Sequence, residues 1–155
     1  MELGSNVTVK RGKNNTELRG GGVLVFDSGT LKISGATISN NVANHSDNGR
    51  GAGVYSTSSG KVTMTSGSIN ANTASGFGGG LDFYGSTFNK TGGTITGNTA
   101  NSGGGLFGSE STLKVNAAIS GNSITANGSC TNVSCRTSNN CTYYINGTKQ
   151  GNTCS

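Results

Sequence analysis

The chain repeats itself, and this repetition constrains its fold more than any other feature. Four segments begin alike: GGVLVFDSGTLKISGATISNN, AGVYSTSSGKVTMTSGSINAN, GGLDFYGSTFNKTGGTITGN and GGLFGSESTLKVNAAISGN. Steps of 31, 27 and 25 residues separate their first apolar residues, which are Val23, Val54, Leu81 and Leu106. An isoleucine recurs at similar spacing, at Ile38, Ile69, Ile95 and Ile119. A period of this length is typical of a solenoid, in which each repeat stacks on its neighbours.

Each repeat reads as β structure. Leu31-Lys32-Ile33 and Val62-Thr63-Met64 alternate apolar and polar residues, which is the period of a half-buried strand. Each unit holds about three such strands between Gly, Ser or Asn turns. The chain contains 28 Gly and is only 30% hydrophobic, so it favours thin stacked coils over one large core. We therefore expect an all-β fold, a parallel β-helix (β-solenoid) of about four to five coils.

This pattern divides the chain of 155 residues into three parts. We expect a partial N-terminal coil over 1–19, the β-helix repeats over 20–126 and a cysteine-rich C-terminal cap or tail over 127–155. Lys90 departs from the pattern, because it falls where the other units have Ile33, Met64 and Val115. Either the strand of the third coil slips in register there, or Lys90 reaches out at a coil end.

An asparagine recurs once in each repeat. In a solenoid equivalent residues lie directly above one another, so like side chains stack. Stacked amides can bond each other, because each carries both donors and acceptors. We predict an asparagine ladder at Asn41, Asn72, Asn98 and Asn122.

The last quarter of the chain holds all four cysteines. Their even number and local clustering predict two disulfides in a secreted protein rather than a zinc site, and three pairings of Cys130, Cys135, Cys141 and Cys154 stay open. Eight glycosylation sequons are possible sites of modification, although a chain rich in Asn, Ser and Thr also forms sequons by chance. They begin at Asn6, Asn14, Asn44, Asn89, Asn127, Asn132, Asn140 and Asn146.

Two motifs recur together along the chain. The first reads GGV, AGV, GGL and GGL, and the second reads ISNN, INAN, ITGN and ISGN. Over about residues 20–122 they resemble the GGA[ILV] and FxxN motifs of chlamydial-type polymorphic outer membrane proteins. The resemblance implies a right-handed, single-stranded parallel β-helix in a surface-exposed protein, several of whose relatives act as adhesins. Here Ile replaces Phe, and the third motif residue is Val or Leu.

The acidic residues do not form a catalytic pattern. Polysaccharide hydrolysis needs paired carboxyl groups, whereas the six acids of this chain occupy different repeat positions: Glu2, Glu17, Asp27, Asp47, Asp82 and Glu110. The lone histidine, His45, lies in a polar loop. We expect no catalytic residues, no bound cofactor and no metal site.

These features favour an extracellular or cell-surface protein with a structural or adhesive role, either a surface module or a self-assembling filament subunit. The alternatives are a carbohydrate-binding module, then an ice-binding protein or a polysaccharide-degrading enzyme. Expected partners are further copies of the chain at the coil ends, or host or environmental glycans. The net charge is +5, but few aromatic residues accompany it, which argues against nucleic acid. No apolar run is long enough to span a membrane.

Overall fold

The computed structural model describes residues 1–14, 19–47, 49–116, 119–136, 140–150 and 153–154. These residues form strands and turns without a helix. The strands are β1 (Glu2–Gly4), β2 (Thr8–Lys10), β3 (Lys13–Asn14), β4 (Val23–Val25), β5 (Thr30–Ser39), β6 (Val42–Ala43), β7 (Val54–Thr57), β8 (Lys61–Asn70), β9 (Thr73–Ala74), β10 (Leu81–Tyr84), β11 (Thr87–Lys90), β12 (Thr94–Thr96), β13 (Thr99–Ser102), β14 (Leu106–Ser109), β15 (Thr112–Val115), β16 (Ser123–Ser129), β17 (Val133–Cys135), β18 (Thr142–Ile145), β19 (Thr148–Lys149) and β20 (Thr153–Cys154).

The strands stack into three sheets that run along the length of the molecule. The nine-stranded sheet has the order β1-β5-β8-β11-β15-β18-β19, with β2 beside β5 and β12 beside β8. The six-stranded sheet has the order β20-β17-β14-β10-β7-β4, and the five-stranded sheet the order β16-β13-β9-β6-β3. Each coil passes through the three sheets in turn, which makes a β-solenoid of about five turns. The fold class predicted from the repeat is confirmed.

The pairing register follows the repeat. Leu81 pairs with Val54 on one side and with Leu106 on the other, as the stacking of equivalent residues predicts. The inward side chains form columns, of which one is Leu31, Val62, Phe88, Leu113 and Tyr143. The sequence predicted this interior, because alternate residues of a strand point to opposite faces.

Lys90 holds the regular register. It pairs with Met64 and Val115 in the inward column, and only 4% of its surface is exposed. The strand therefore does not slip, and Lys90 lies buried in the interior. Burial disfavours the ammonium form and lowers the pKa of Lys90.

The cysteine-rich segment continues the stack. Strand β16 crosses the boundary predicted at residue 127, and β17 and β18 pair in parallel with β14 and β15 of the preceding coil. The last two strands reverse direction, because β19 pairs with β18 and β20 pairs with β17 in antiparallel fashion. No helix that could cross a membrane is found among the described residues.

Candidate functional site

The predicted asparagine ladder is present in the interior. The Nδ2 of Asn41 donates to the Oδ1 of Asn72 at 2.9 Å, and the backbone N–H of Asn41 donates to the same oxygen at 3.0 Å. The arrangement repeats from Asn72 to Asn98 and from Asn98 to Asn122, each with a side-chain bond of 2.9 Å. Asn41, Asn72 and Asn98 are fully buried. The ladder therefore satisfies polar groups that burial would otherwise leave unpaired.

The ladder also explains why the two sequence motifs occur together. A Cβ added to Gly80 would lie 3.1 Å from the Nδ2 of Asn98, and one added to Gly105 would lie 2.7 Å from the Nδ2 of Asn122. The second glycine of each glycine pair thus leaves room for the asparagine of the same coil. A Cβ at Gly80 would also lie 2.5 Å from the carbonyl oxygen of Gly105, so the stacked backbone and the amide both require glycine there.

A fifth asparagine ends the ladder. Asn122 donates from its backbone N–H to the Oδ1 of Asn132 at 3.1 Å, and from its Nδ2 at 3.3 Å. Asn132 does not come from the asparagine position of a repeat. It lies above Gly105 in the glycine column, because Leu106 pairs with Val133. Asn132 was not predicted as a ladder residue, because it stands where the other repeats have glycine. The sequence feature that could have revealed it is its position directly before the apolar residue Val133.

The outer face of the six-stranded sheet carries a buried ion pair. The Nε of Arg50 donates to the Oδ2 of Asp82 at 2.5 Å, and its Nη2 donates to the Oδ1 at 3.2 Å. The side chain of Asp82 is fully buried although it points outward from the coil. Burial raises the pKa of Asp82 to about 6, and the nearby cations Arg50, Arg19 and Arg136 oppose this rise.

Aromatic rings surround this ion pair. The guanidinium carbon of Arg50 lies 5.1 Å from the ring centroid of Phe77 and 5.5 Å from that of Phe107. Arg136 lies 5.1 Å and 5.2 Å from the same two rings. These distances are those of cation–π contacts. We call the whole group the arginine–aromatic cluster, which consists of Arg19, Arg50, Tyr55, Phe77, Asp82, Tyr84, Phe107 and Arg136.

A tight corner positions the cluster. Gly51 and Gly78 have φ of +60° and +59°, a backbone conformation that favours glycine. A Cβ at Gly78 would lie 2.8 Å from the Cβ of Asp82. The corner thus folds Arg50 and Phe77 back against the outer face of the sheet. The cluster was not predicted from the sequence. Its one sequence signal is the residue that follows the first apolar position of each repeat: Leu24, Tyr55, Asp82 and Phe107.

The rim of the cluster carries exposed apolar and cationic side chains, together with the carboxylate of Glu110 beside Tyr84. Leu24 is 55% exposed, Phe26 is 58% exposed and Tyr84 is 40% exposed. Two arginines are exposed on the same face, Arg19 before β4 and Arg136 after β17. The outer faces of the other two sheets carry mostly Thr, Asn and Lys. This one face therefore differs in chemistry from the rest of the described surface.

The cysteines form disulfides. Cys135 bonds Cys141, with 5.5 Å between their Cα atoms, and Cys130 is disulfide-bonded too. The side chain of Cys154 lies outside the described part of the structure. The Cys135–Cys141 bridge packs in the interior against the last coils. It links the last residue of β17 to the residue before β18.

The sequons occupy different environments. Five of their asparagines are exposed, namely Asn6, Asn44, Asn89, Asn140 and Asn146. Asn132 is partly buried in the ladder. The side chains of Asn14 and Asn127 lie outside the described part.

Of the remaining acids, Glu110 accepts a hydrogen bond from Tyr84 of the arginine–aromatic cluster, and this contact raises the pKa of Tyr84. Glu2 pairs with Lys32 at 2.9 Å near the start of the chain, while Asp27, Asp47 and Glu110 are exposed. His45 accepts a hydrogen bond from the backbone N–H of Asp47 at 3.0 Å. Glu17 lies outside the described residues. Within the described ranges, no group of three or more His, Cys, Asp or Glu side chains could hold a metal ion.

The fold and these contacts define a parallel β-solenoid with an internal amide ladder and an external arginine–aromatic cluster. No protein-family model matches the chain, and no curated protein or solved structure matches it. The resemblance to the polymorphic outer membrane protein repeats therefore stays an interpretation of the two motifs.

Proposed function

We propose that this chain is an extracellular, non-catalytic adhesive module, a stiff β-solenoid that presents a binding face. The observation that carries the proposal is the rim of the arginine–aromatic cluster. Exposed Leu24, Phe26 and Tyr84 share the outer face of the six-stranded sheet with exposed Arg19, which precedes β4, and exposed Arg136, which follows β17. Aromatic and Arg side chains are enriched in interfaces and supply much of their binding energy.

The scaffold suits this role. The amide ladder and the three sheets fix the outward side chains at regular spacing, so binding would cost little further ordering. The disulfides support an oxidising location such as the cell exterior. Both features agree with an exposed module that must withstand unfolding and proteolysis.

The chemistry around Asp82 favours binding over catalysis. Both oxygens of this carboxylate accept hydrogen bonds from Arg50, and the aromatic rings cover the pair. Hydrolysis of a glycan needs a second carboxyl group within about 5–10 Å. The other carboxylates of the described ranges are all exposed, at Glu2, Asp27, Asp47 and Glu110, and Glu110 already accepts a hydrogen bond from Tyr84. Asp82 acts in this proposal as a positioning residue for Arg50.

The experiment measures both binding and turnover on one panel of immobilised extracellular glycans and glycoproteins. Purified chain is passed over immobilised extracellular glycans and glycoproteins in a surface-binding assay, and the eluates are analysed for released sugars by mass spectrometry. We expect saturable binding to at least one surface without product. Turnover that co-purifies with the chain and responds to substitution of Asp82 would overturn the proposal, as would the absence of binding across the panel.

End-to-end self-assembly is a second proposal. Strand β4 is the last strand of its sheet, so its outer edge offers hydrogen-bonding groups to another chain. At the opposite end the antiparallel strands β19 and β20 occupy the edges of two sheets. Contact between two N-terminal ends would close a dimer, whereas contact between opposite ends would build a filament. Light scattering at rising concentration separates a dimer, a growing filament and a monomer, and only the monomer contradicts assembly.

A further inference from the structure

A second surface feature lies on the outer face of the nine-stranded sheet, whereas the arginine–aromatic cluster lies on the six-stranded sheet. It is a cleft of about 360 Å³ between the ends of β11, β15 and β18 and the turn that joins β18 to β19. The cleft is lined by Asn89, Lys114, Val115, Asn116, Tyr144 and Gly147. Its volume lies within the range of small-molecule sites, about 300–1,000 Å³.

Apart from the buried Val115, the side chains that line this cleft point outward from the coil. Leu113, Val115 and Tyr143 are buried in the interior, so their neighbours Lys114 and Tyr144 stand on the outer face. The ammonium of Lys114 lies 5.9 Å from the ring centroid of Tyr144. The turn at Gly147 has φ of +79° and closes one side of the cleft.

These groups match one class of ligand. Tyr144 is half-buried and offers a ring on which the apolar face of a sugar can stack. The exposed amides of Asn89 and Asn116 can both donate and accept, which suits neighbouring hydroxyl groups. Lys114 adds a positive charge, and the lining contains no carboxylate. A carboxylate on the sugar would therefore meet a cation without repulsion.

We propose that this cleft binds an acidic saccharide, with Tyr144 as the stacking platform, Lys114 as the partner of the sugar carboxylate and the amides of Asn89 and Asn116 as hydroxyl contacts. Binding here needs no contribution from the arginine–aromatic cluster. It gives the chain a site for a defined sugar unit in addition to an adhesive face. The sequon at Asn89 lies in the same cleft, so a glycan attached there would occupy the site.

The test uses the full chain from bacterial periplasm, where disulfides form and no N-glycan is added. Titration calorimetry compares acidic trisaccharides (galacturonate, glucuronate-containing and sialylated) with neutral trisaccharides of the same linkage. We expect at least one acidic ligand to bind about tenfold more tightly than its neutral counterpart, the gain of one charge-assisted hydrogen bond.

Four variants locate the site. Lys114→Gln should remove the preference for the acidic ligand, and Asn116→Asp should weaken acidic ligands alone, because it adds a negative charge to an exposed position. Tyr144→Ala should weaken both ligand types, with the thermal melt as a check that the fold persists. Lys61→Gln is the matched control, since Lys61 is exposed on the same sheet outside this cleft.

Two results would overturn the inference. One is that none of the acidic ligands binds the wild-type chain more tightly than its neutral counterpart. The other is an equal loss in Lys114→Gln and Lys61→Gln, which would indicate general attraction of anions to a basic surface. Neither result bears on adhesion through the arginine–aromatic cluster, which the surface panel measures separately.

Discussion

Asn72 binds Asn98 twice, through its side-chain Nδ2 at 2.9 Å and through its backbone N–H at 3.1 Å, both to the same Oδ1. Its Nδ2 also donates to the carbonyl of Ile38 in the preceding coil at 3.0 Å. One amide thus joins three consecutive coils. The ladder is a continuous polar network inside the stack, and each member depends on its neighbours.

The first prediction concerns this network. Asn72→Leu removes the acceptor for two N–H groups of Asn41 and takes away the side-chain donor to the Oδ1 of Asn98, which keeps only the backbone N–H of residue 72. Each unpaired buried group costs about 1–3 kcal/mol, so the thermal midpoint should fall by many degrees. Thermal denaturation followed by circular dichroism measures the effect. The exposed Thr73→Val is the control, and an equally small change in both variants would show that the ladder adds no stability.

The second prediction concerns pH. The pKa of Asp82 is about 6 in the folded chain, above its ordinary value of 3.8, so the folded state holds this proton more tightly than the unfolded state. Stability should therefore fall as pH rises from about 4 to above 6, by about 3 kcal/mol from this group. This pKa already reflects the three cations that face the carboxylate, Arg50, Arg19 and Arg136, each of which lowers it.

Asp82→Asn tests this assignment, because the amide keeps the shape and does not titrate. The free energy of unfolding of the variant, from urea titrations at pH 4, 5, 6 and 7, should lack the fall seen in the wild type. The exposed Glu2, whose pKa is lowered chiefly by a hydrogen bond from Ser34, acts in the opposite direction. Glu2→Gln is the control, and it should keep the fall in stability between pH 4 and 7. The same dependence of unfolding free energy on pH in Asp82→Asn and in the wild type would contradict the assignment.

The third prediction concerns Lys90. Its neighbours in the inward column are Met64 and Val115, and burial lowers its pKa. Lys90→Met keeps an unbranched side chain that is one atom shorter and removes the cost of burying a charge, so it should stabilise the chain by about 1–3 kcal/mol at pH 7. The wild type should recover part of this difference at alkaline pH, since the neutral amine is favoured there. Urea denaturation at pH 7 and pH 10 checks both statements, and a destabilised variant at pH 7 would refute them.

The fourth prediction concerns the C-terminal end. The Cys135–Cys141 disulfide closes a short loop, with a sequence separation of 6. Replacing both cysteines with Ser should cost about 2 kcal/mol from the loss of this constraint on the unfolded chain. Differential scanning calorimetry measures the loss. A midpoint equal to that of the wild type would mean that the last coil is held by its strand pairing alone.

The sequence predicted the parts of the molecule that depend on like residues stacking. Val54, Leu81 and Leu106 share a motif position, and the coils bring them into register. The asparagine ladder followed by the same logic. Lys90 was placed in its inward column by sequence, but whether the strand slips there could not be decided without the pairing.

The arginine–aromatic cluster could not be predicted from the stacking of like residues, because its members are unlike residues from different coils. Arg50 and Asp82 are 32 positions apart, and their contact depends on the glycine corner between two sheets. Turn lengths between coils vary, so the sequence does not fix which outward side chains meet at that corner. Asn132 was missed for a related reason, since it completes the ladder from a glycine position.

A binding measurement on variants of the cluster rim tests the proposed adhesive role most directly. Leu24→Ser/Phe26→Ser replaces two exposed apolar side chains without touching the interior, and Lys61→Ser/Thr87→Ser is the matched pair on the nine-stranded sheet. Both proteins, and the wild type, are measured against the surface that the wild-type chain binds best. We predict at least a tenfold loss of affinity in Leu24→Ser/Phe26→Ser and an unchanged affinity in the control. Unchanged affinity in both would contradict an adhesive role for this face.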